Sequence, residues 1–324
     1  MTLTRDDTIE AVLAPTVWAD WQRSPVTGDA SARRYLRLHK DGQTAIVMDA
    51  PPATCTDTPA FIRIAALLRE AGLQAPPVLL SDLAQGVLVL GDLGPKDVAA
   101  QLRDTPQAEQ DIYSAIADLL RKVAKITPPE DLIRLTPEVG AQMIGVLDDS
   151  YCSTDIGPLQ SAVATALQTH AGPPDTLSLR DFHAENLIWR EGFAGSDRLG
   201  LLDFQDAFVA PAGYDLASLL RDARRDVSAQ GYQAAMSRFL GGATDKEAMR
   251  RQIAVLGVQR NLRIMGIFAN LAIRAGKPRY VAFMPRLWRH ITDDLAILGD
   301  PDLSRAVQDT LPEPTPSILQ GLSR

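Results

Sequence analysis

Apolar residues recur along this chain with two periods, and the switch between them divides it. SARRYLRLHKDGQTAIVMDAP alternates apolar and polar positions about a polar turn at residues 39–43, which predicts a hairpin of two strands. Thr58 and Pro59 then open a helix with Phe61, Ile64, Leu67, Leu68 and Ala71 on one face and Gly72 near its end. PPVLLSDLAQGVLVLGDLG adds two short apolar strands about a turn at residues 81–86. After Asp92 the period lengthens. QAEQDIYSAIADLLRKVAKI predicts a strong amphipathic helix, and helical patterns follow over residues 158–169, 214–226, 246–275 and 279–298. The one clear β signal in this half is NLIW and RLGLLDF about the turn EGFAGSD. The expected fold class is α+β and bilobal: a small β-rich N-terminal lobe over residues 1–91 and a mainly helical C-terminal lobe over 92–324, joined near residues 91–95. Clefts between two such lobes are preferred ligand sites.

Composition narrows the function classes. At 324 residues, 46% hydrophobic and 23% charged, the chain is that of a soluble globular protein with a sizeable core. No apolar run reaches the roughly 18 residues that span a membrane. MTLTRDDTIEAVLA lacks an apolar stretch behind a basic start, so no secretory signal is expected. Cys55 and Cys152 are too few for a disulfide framework or a cysteine-rich zinc site, which makes a cytoplasmic location the expectation. A net charge of -7 argues against a general nucleic-acid binder, which needs a cationic surface. It says little about small ligands.

Candidate chemistry gathers in LSLRDFHAENLIWREG, where Asp181, His183, Glu185 and Asn186 fall within six residues. Three readings compete: an Asx-turn loop, a metal-ligand cluster, or the catalytic loop of a phosphotransferase. Zinc wants closely spaced Cys and His. The four histidines here, His39, His170, His183 and His290, include no such pair. Two features weigh against a plain turn. Asn186 is one of only three asparagines, with Asn261 and Asn270. If residues 187–190 and 199–202 pair antiparallel, the hairpin returns Asp203 to the side of Asn186. An amide and a carboxylate there, with Asp181 as a further carboxylate, suit Mg²⁺ and substrate phosphates. Phosphoryl transfer asks for one carboxylate to orient the attacking hydroxyl and for an amide and a carboxylate to hold the metal. Asp181, Asn186 and Asp203 match those roles in order and spacing.

RDFHAEN resembles the catalytic loop of the aminoglycoside phosphotransferase and choline kinase-like enzymes, relatives of the protein kinase fold, and LLDFQDA resembles their metal-binding segment. The longer block LLDFQDAFVAPAGYDLASLLRDA, with GDASARRYLRL, VMDAPP and QRNLRIMGIFANLAIRAGKPRY, is similar to bacterial kinases that phosphorylate the anomeric hydroxyl of N-acetylmuramate and N-acetylglucosamine in cell-wall recycling. The resemblance covers residues 28–290. It implies ATP and Mg²⁺ as cofactors, Asp181 as the base, and Asn186 and Asp203 as the metal ligands. It also implies that Gly28, Asp29, Ala30 and Ser31 form the turn that covers the nucleotide phosphates, an ordinary hairpin turn being the alternative. Gly91, Asp92 and Leu93 stand where the adenine-binding hinge belongs, or form a simple connector, or both. Asp215 matches an acidic residue that brace the catalytic loop; taken alone it is a helix N-terminal charge.

The chain departs from that pattern in three places. Leu179 replaces the usual histidine two positions before Asp181, and Met48 stands where the third strand normally offers a lysine to the phosphates. The helix that follows has no glutamate before Glu70, so the lysine's usual partner is missing too. Losing both together avoids an unpaired buried charge. Arg33 or Arg34 then either meets the phosphates or lies on the strand surface. The expected partner is a small molecule, an amino sugar, with no nucleic acid and no membrane. Other readings are an aminoglycoside or choline-like kinase, and an inactive kinase fold that binds nucleotide. Only 11 residues (204 to 214) separate Asp203 from Asp215, too few for the long activation loop of a protein kinase. An aromatic content of 6% speaks against a choline cage. Gln205 and Asp206 could face the acceptor, and Gln259, Arg260, Asn261 and Arg263 could anchor a carboxylate such as muramate's lactate. For each, a structural hydrogen bond or a solvated helix face is the alternative.

Overall fold

The computed structural model describes residues 4–26, 32–148, 150–152 and 154–322. In chain order it begins α1 (Arg5–Leu13), β1 (Gln22–Val26), β2 (Arg34–Lys40), β3 (Gln43–Asp49), α2 (Thr58–Glu70), β4 (Val78–Asp82), β5 (Val87–Gly91) and α3 (Val98–Asp104). Then come α4 (Glu109–Val123), α5 (Pro137–Met143), α6 (Gly157–His170), β6 (Thr176–Ser178), β7 (Leu187–Trp189), β8 (Leu199–Leu201) and β9 (Phe208–Ala210). The remainder is helical: α7 (Tyr214–Leu220), α8 (Ala229–Leu240), α9 (Lys246–Ile273), α10 (Met284–Leu298), α11 (Pro301–Thr310) and α12 (Pro316–Leu322). Two compact units result. One holds the chain up to Pro106 together with Ala184–Ala207, the other Gln107–His183 with the chain from Phe208 onward. Among the described residues no helix is long and apolar enough to cross a membrane.

The first unit is built on an antiparallel sheet in the order β1-β2-β3-β5-β4. The expected hairpin is β2–β3. It turns on Asp41 and Gly42 alone, at φ 50° and 77°, the pair of left-handed residues that a two-residue turn needs to match strand twist. One face of the sheet buries Leu38, Ala45, Val47, Val87 and Val89 against Ile9 and Leu13 of α1. By alternation Met48 faces the other way, and it too is fully buried. The expectation of strand, strand, helix, strand, strand omits α1 and β1. Thr4 and Asp7 close α1 with a capping box, a short signal before a weakly periodic helix. β1 is the sheet's edge strand, where Pro25 is tolerated and little side-chain surface is buried.

The hairpin β7–β8 also belongs to the first unit. Backbone pairing puts it there: Trp189 N–H donates to the Lys96 carbonyl at 2.8 Å and Leu201 N–H to the Gln74 carbonyl at 2.8 Å. The sequence reading placed the break near residue 91 and this hairpin beyond it. The unit instead runs on through α3, because residues 74 and 96 hold the returning hairpin by main-chain bonds that leave no side-chain pattern.

The second unit is helical apart from the ribbon β6–β9. Its long helix α9 is buried over much of residues 253–272, with α6, α7 and α10 packed against it. The pattern over residues 214–226 yields a shorter helix, α7, since Arg221 ends it and turns its guanidinium to Asp294. The pattern over 279–298 starts as a tight 3₁₀ turn, Pro278–Phe283; the α-helix begins only at Met284, with Pro285 at a first-turn position that suits it.

Candidate active-site residues

In the second unit the chain leaves β6 at Ser178 and turns sharply, with Arg180 at φ 70° in the left-handed region that non-glycine residues rarely adopt. Asp215, in the first turn of α7, holds this turn. Its carboxylate accepts hydrogen bonds from Ser178 Oγ at 2.6 Å, Leu179 N–H at 2.8 Å and Arg180 N–H at 3.1 Å. α7 can start hard against α9 because Gly213 precedes it at φ 95°, where a Cβ would stand 2.8 Å from Ile253. Burial pushes the Asp215 carboxyl up to about 6, against the pull of those three donors. Leu179 is itself buried, so the position where the family pattern has a histidine is part of the core.

Asp181 follows with its side chain 46% exposed. His183 Nε2 lies 3.6 Å from one carboxylate oxygen and Arg260 Nη2 3.7 Å from the other. Burial alone would raise the carboxyl's pKa; the His183 imidazole and the Arg260 and Arg224 guanidiniums outweigh it and hold Asp181 well below the usual carboxylate range. Asp181 is therefore an ionised, accessible carboxylate of low basicity. It can orient a hydroxyl and take its proton late, which a loose phosphoryl-transfer transition state allows. His183 is not among the residues to which the resemblance gives a role. The structure puts it, 3% exposed, against Asp181 as an orienting group. Of the residues on α9, Gln259 donates to the Gly140 carbonyl at 3.0 Å and the buried Asn261 accepts from Arg260 at 3.4 Å, both structural bonds. Arg263 lies one turn beyond Arg260 and is half-buried.

In the first unit the hairpin does what its pattern predicts. Leu202 N–H donates to the Asn186 carbonyl at 3.0 Å, and the side chains meet where the strands end, Asn186 Nδ2 3.4 Å from Asp203 Oδ2. Asp203 sits at φ 57°, a costly conformation for a residue other than glycine, and it is exposed. Gln205 donates to the other carboxylate oxygen at 2.7 Å, so it engages Asp203 itself; Asp206 is exposed beside it. Phe204 anchors the segment by stacking on Phe61 of α2, ring centroids 5.1 Å apart. The donor set suits a hard cation: one carboxylate and one amide, exposed enough to leave room for water and phosphate oxygens. The amide now turns its nitrogen to Asp203, and a half-turn about χ2 presents the oxygen instead. Asn186 and Asp203 thus fit Mg²⁺.

The residues expected at the nucleotide are engaged within the same unit. Gly91 N–H donates to the Pro77 carbonyl at 2.8 Å, Asp92 accepts from Arg37 at 2.7 Å and from Gly94 N–H at 2.9 Å, and Leu93 lies against Gly200. Arg33 is ion-paired to Asp57 at 2.6 Å with its side chain 6% exposed. Arg34 reaches Asp49 at 3.1 Å and also pairs with Asp6. Gly28, Asp29, Ala30 and Ser31 lie outside the described residues.

The chain matches the model of the phosphotransferase enzyme family over residues 22–251. It is 32% identical to an N-acetylmuramate/N-acetylglucosamine kinase of Caulobacter vibrioides, over 87% of this chain and 90% of the relative. Among solved structures it is similar to a choline/ethanolamine kinase family protein from Mesorhizobium loti, with TM-score 0.62, 16% identity, and 94% and 98% of the two chains covered. It is also similar to the GDP complex of wild-type aminoglycoside 2'-phosphotransferase-IIIa, with TM-score 0.60, 13% identity, and 92% and 97% covered. At these identities the two solved structures show the fold alone, and it is the α+β fold that the sequence patterns predict and the kinase-like one that the resemblance implies.

Proposed function

The chain belongs to the phosphotransferase enzyme family and is a small-molecule kinase, and from that premise we propose that it transfers the γ-phosphate of ATP to the anomeric hydroxyl of N-acetylmuramate or N-acetylglucosamine. The observation that carries the choice of acceptor is the 32% identity, along nearly the whole chain, to a relative of that name. A cytoplasmic place in cell-wall recycling belongs to the same proposal. Phosphoryl transfer supplies the chemistry. Asp181 accepts a hydrogen bond from the acceptor hydroxyl, aims its oxygen at the γ-phosphorus and takes the proton as the new O–P bond forms and the bond from phosphorus to the bridging oxygen breaks, releasing ADP. The low pKa of Asp181 keeps it ionised at any working pH, so orientation is its main task. His183 and Arg260 fix the carboxylate, and Asp215 fixes the turn that carries it. Asn186 and Asp203 would hold Mg²⁺, which supplies charge neutralisation on the nucleotide phosphates when bound. Met48 offers no charge to the phosphates, so the contact that a strand lysine makes elsewhere has no counterpart in β3.

The test is a coupled ADP-release assay over N-acetylmuramate, N-acetylglucosamine, kanamycin and choline. Sugar-dependent turnover is expected, with kanamycin and choline near background. Strong turnover on those two and none on the sugars would overturn the choice of acceptor.

A further inference from the structure

Arg260 and Arg263 are three apart on α9, so their guanidiniums leave the helix on one face. Arg260 already has its partners, Asp181 at 3.7 Å and Asn261 at 3.4 Å. Arg263 differs. It is half-buried, yet no hydrogen bond or ion pair to a described residue holds it. Burial first, then the neighbouring Arg180 guanidinium and, more weakly, Arg260 push its pKa below the usual arginine value. Arg180 approaches from the catalytic turn, its guanidinium carbon 5.6 Å from the Phe208 ring, which meets Tyr214 edge-on at 5.0 Å. The Tyr214 hydroxyl lies within the field of all three arginines.

The fields of three guanidiniums thus meet at Tyr214, and of the three it is Arg263 that no described residue holds. Asp215 already takes three hydrogen bonds from its own loop. Asp181 must stay open to the acceptor. A half-buried guanidinium without a carboxylate partner is unfavourable until an anion arrives, and such groups mark binding sites. Because Arg260 touches Asp181, the group that the acceptor hydroxyl must reach, the anion beside Arg263 belongs to the acceptor. A planar guanidinium fork fits a carboxylate.

We propose that Arg263, flanked by Arg180 and Arg260, binds a carboxylate of the acceptor, the lactyl carboxylate that N-acetylmuramate carries and N-acetylglucosamine lacks, and so sets the preference between them. The inference rests on the kinase reading above. The transferred phosphoryl group is the other source of negative charge, and it is common to both sugars. That difference makes the test. KM is measured for each sugar with the wild type, Arg263→Met and Arg263→Lys. The ratio of KM for N-acetylmuramate to KM for N-acetylglucosamine is expected to rise roughly tenfold or more in Arg263→Met, the loss of one charge-assisted contact. A smaller rise is expected in Arg263→Lys, which keeps the charge and loses the fork. The ratio is internal to each preparation, so a smaller folded fraction cancels. A ratio unchanged in Arg263→Met, whether both sugars suffer equally or neither does, overturns the assignment. If the wild type turns over neither sugar, the kinase reading fails by itself, and calorimetric binding of the two sugars decides the anion site. Tighter binding of N-acetylmuramate that Arg263→Met abolishes retains it; equal binding of both sugars ends it.

Discussion

Asp215 accepts the Leu179 N–H at 2.8 Å, and with that bond a residue of α7 sets the backbone two positions before Asp181. Ser178 Oγ and Arg180 N–H share the same carboxylate. An asparagine at 215 has one acceptor oxygen and an NH₂ group where the second stood, so at least one buried N–H would face another donor. Asp215→Asn is expected to lower stability by about 1–3 kcal/mol, the range for a buried donor left unsatisfied. It should also reduce kcat roughly tenfold or more, as the catalytic turn loosens. Thermal melting and ADP release check the two. A variant with wild-type melting and turnover would remove the bracing role.

The same carboxyl predicts a pH dependence of stability. Its folded pKa, pushed up to about 6 by burial, exceeds the ordinary 3.8. The native state therefore binds the proton more tightly than the unfolded chain. Stability from this group is full below about pH 4 and falls as pH rises through about 6. Asp294, raised to about 7 by burial, adds a fall of the same sign, and His290, lowered to about 4 by burial, adds the opposite one. The clean readout is the difference between wild type and Asp215→Asn in urea unfolding from pH 4 to pH 7. The wild type should lose stability relative to the variant across that window. A difference that stays constant with pH would show that the carboxyl titrates normally.

Asp181→Asn should cost turnover on the order of 10²- to 10⁴-fold, the usual contribution of a positioned base, while nucleotide binding stays within a few-fold of wild type. The depressed pKa adds a second expectation. Since the His183, Arg260 and Arg224 neighbours keep Asp181 ionised against its burial, kcat/KM of the wild type should show no acid limb from this group above about pH 4. Full sugar-dependent turnover in the variant would remove Asp181 from the chemistry.

What could be read from the sequence follows from which interactions leave a pattern. The hairpin that joins Asn186 to Asp203 was legible because NLIW and RLGLLDF carry a β pattern about a glycine-rich turn. The helix over residues 107–126 was legible because its apolar stripe is strict, and it forms as α4. The assignment of β7–β8 to the first unit was not legible, since the Trp189–Lys96 and Leu201–Gln74 bonds are backbone to backbone. The same holds for His183 against Asp181, a contact made by the loop's path. The pattern alone does not place Arg33 and Arg34, because their ion pairs with Asp57, Asp49 and Asp6 are long-range and carry no periodic signature.

Met48 offers a test in the opposite direction, a substitution that restores the family's lysine. Met48 is fully buried in β3, opposite Tyr35 on one neighbouring strand and Leu88 on the other. Within α2 the one carboxylate is Glu70, at the helix's last position. A lysine here would be a buried charge without a helix partner. Met48→Lys is expected to lose about 3–5 kcal/mol, the penalty of an uncompensated buried charge. It should bring no gain in KM for ATP. Chemical denaturation and nucleotide kinetics report both. Tighter ATP use at unchanged stability would show that the site still accommodates the lysine.

Gly200 tests how far the proposed metal ligands, Asn186 and Asp203, depend on the hairpin beneath them. It lies in β8, and a Cβ there would stand 2.8 Å from Leu93 Cδ1 and 3.2 Å from Ile188 Cβ. Ile188 is its own cross-strand partner, so an added side chain pushes β8 from β7 and from the segment that follows β5 at once. Asn186 precedes β7 and Asp203 follows β8, so the change reaches both ligands through the strands that carry them. Gly200→Val should cost about 1–3 kcal/mol, as overpacking does. The Mg²⁺ concentration for half-maximal turnover should rise roughly tenfold, as one ligand contact weakens. Gly200→Ala should show a smaller effect on both. Asp203→Asn supplies the comparison: it removes the ligand charge without touching the hairpin packing, so the Mg²⁺ requirement should rise while melting stays close to wild type. If Gly200→Val lowers the melting temperature and leaves the Mg²⁺ requirement unchanged, the hairpin supports the fold but does not set the spacing of Asn186 and Asp203.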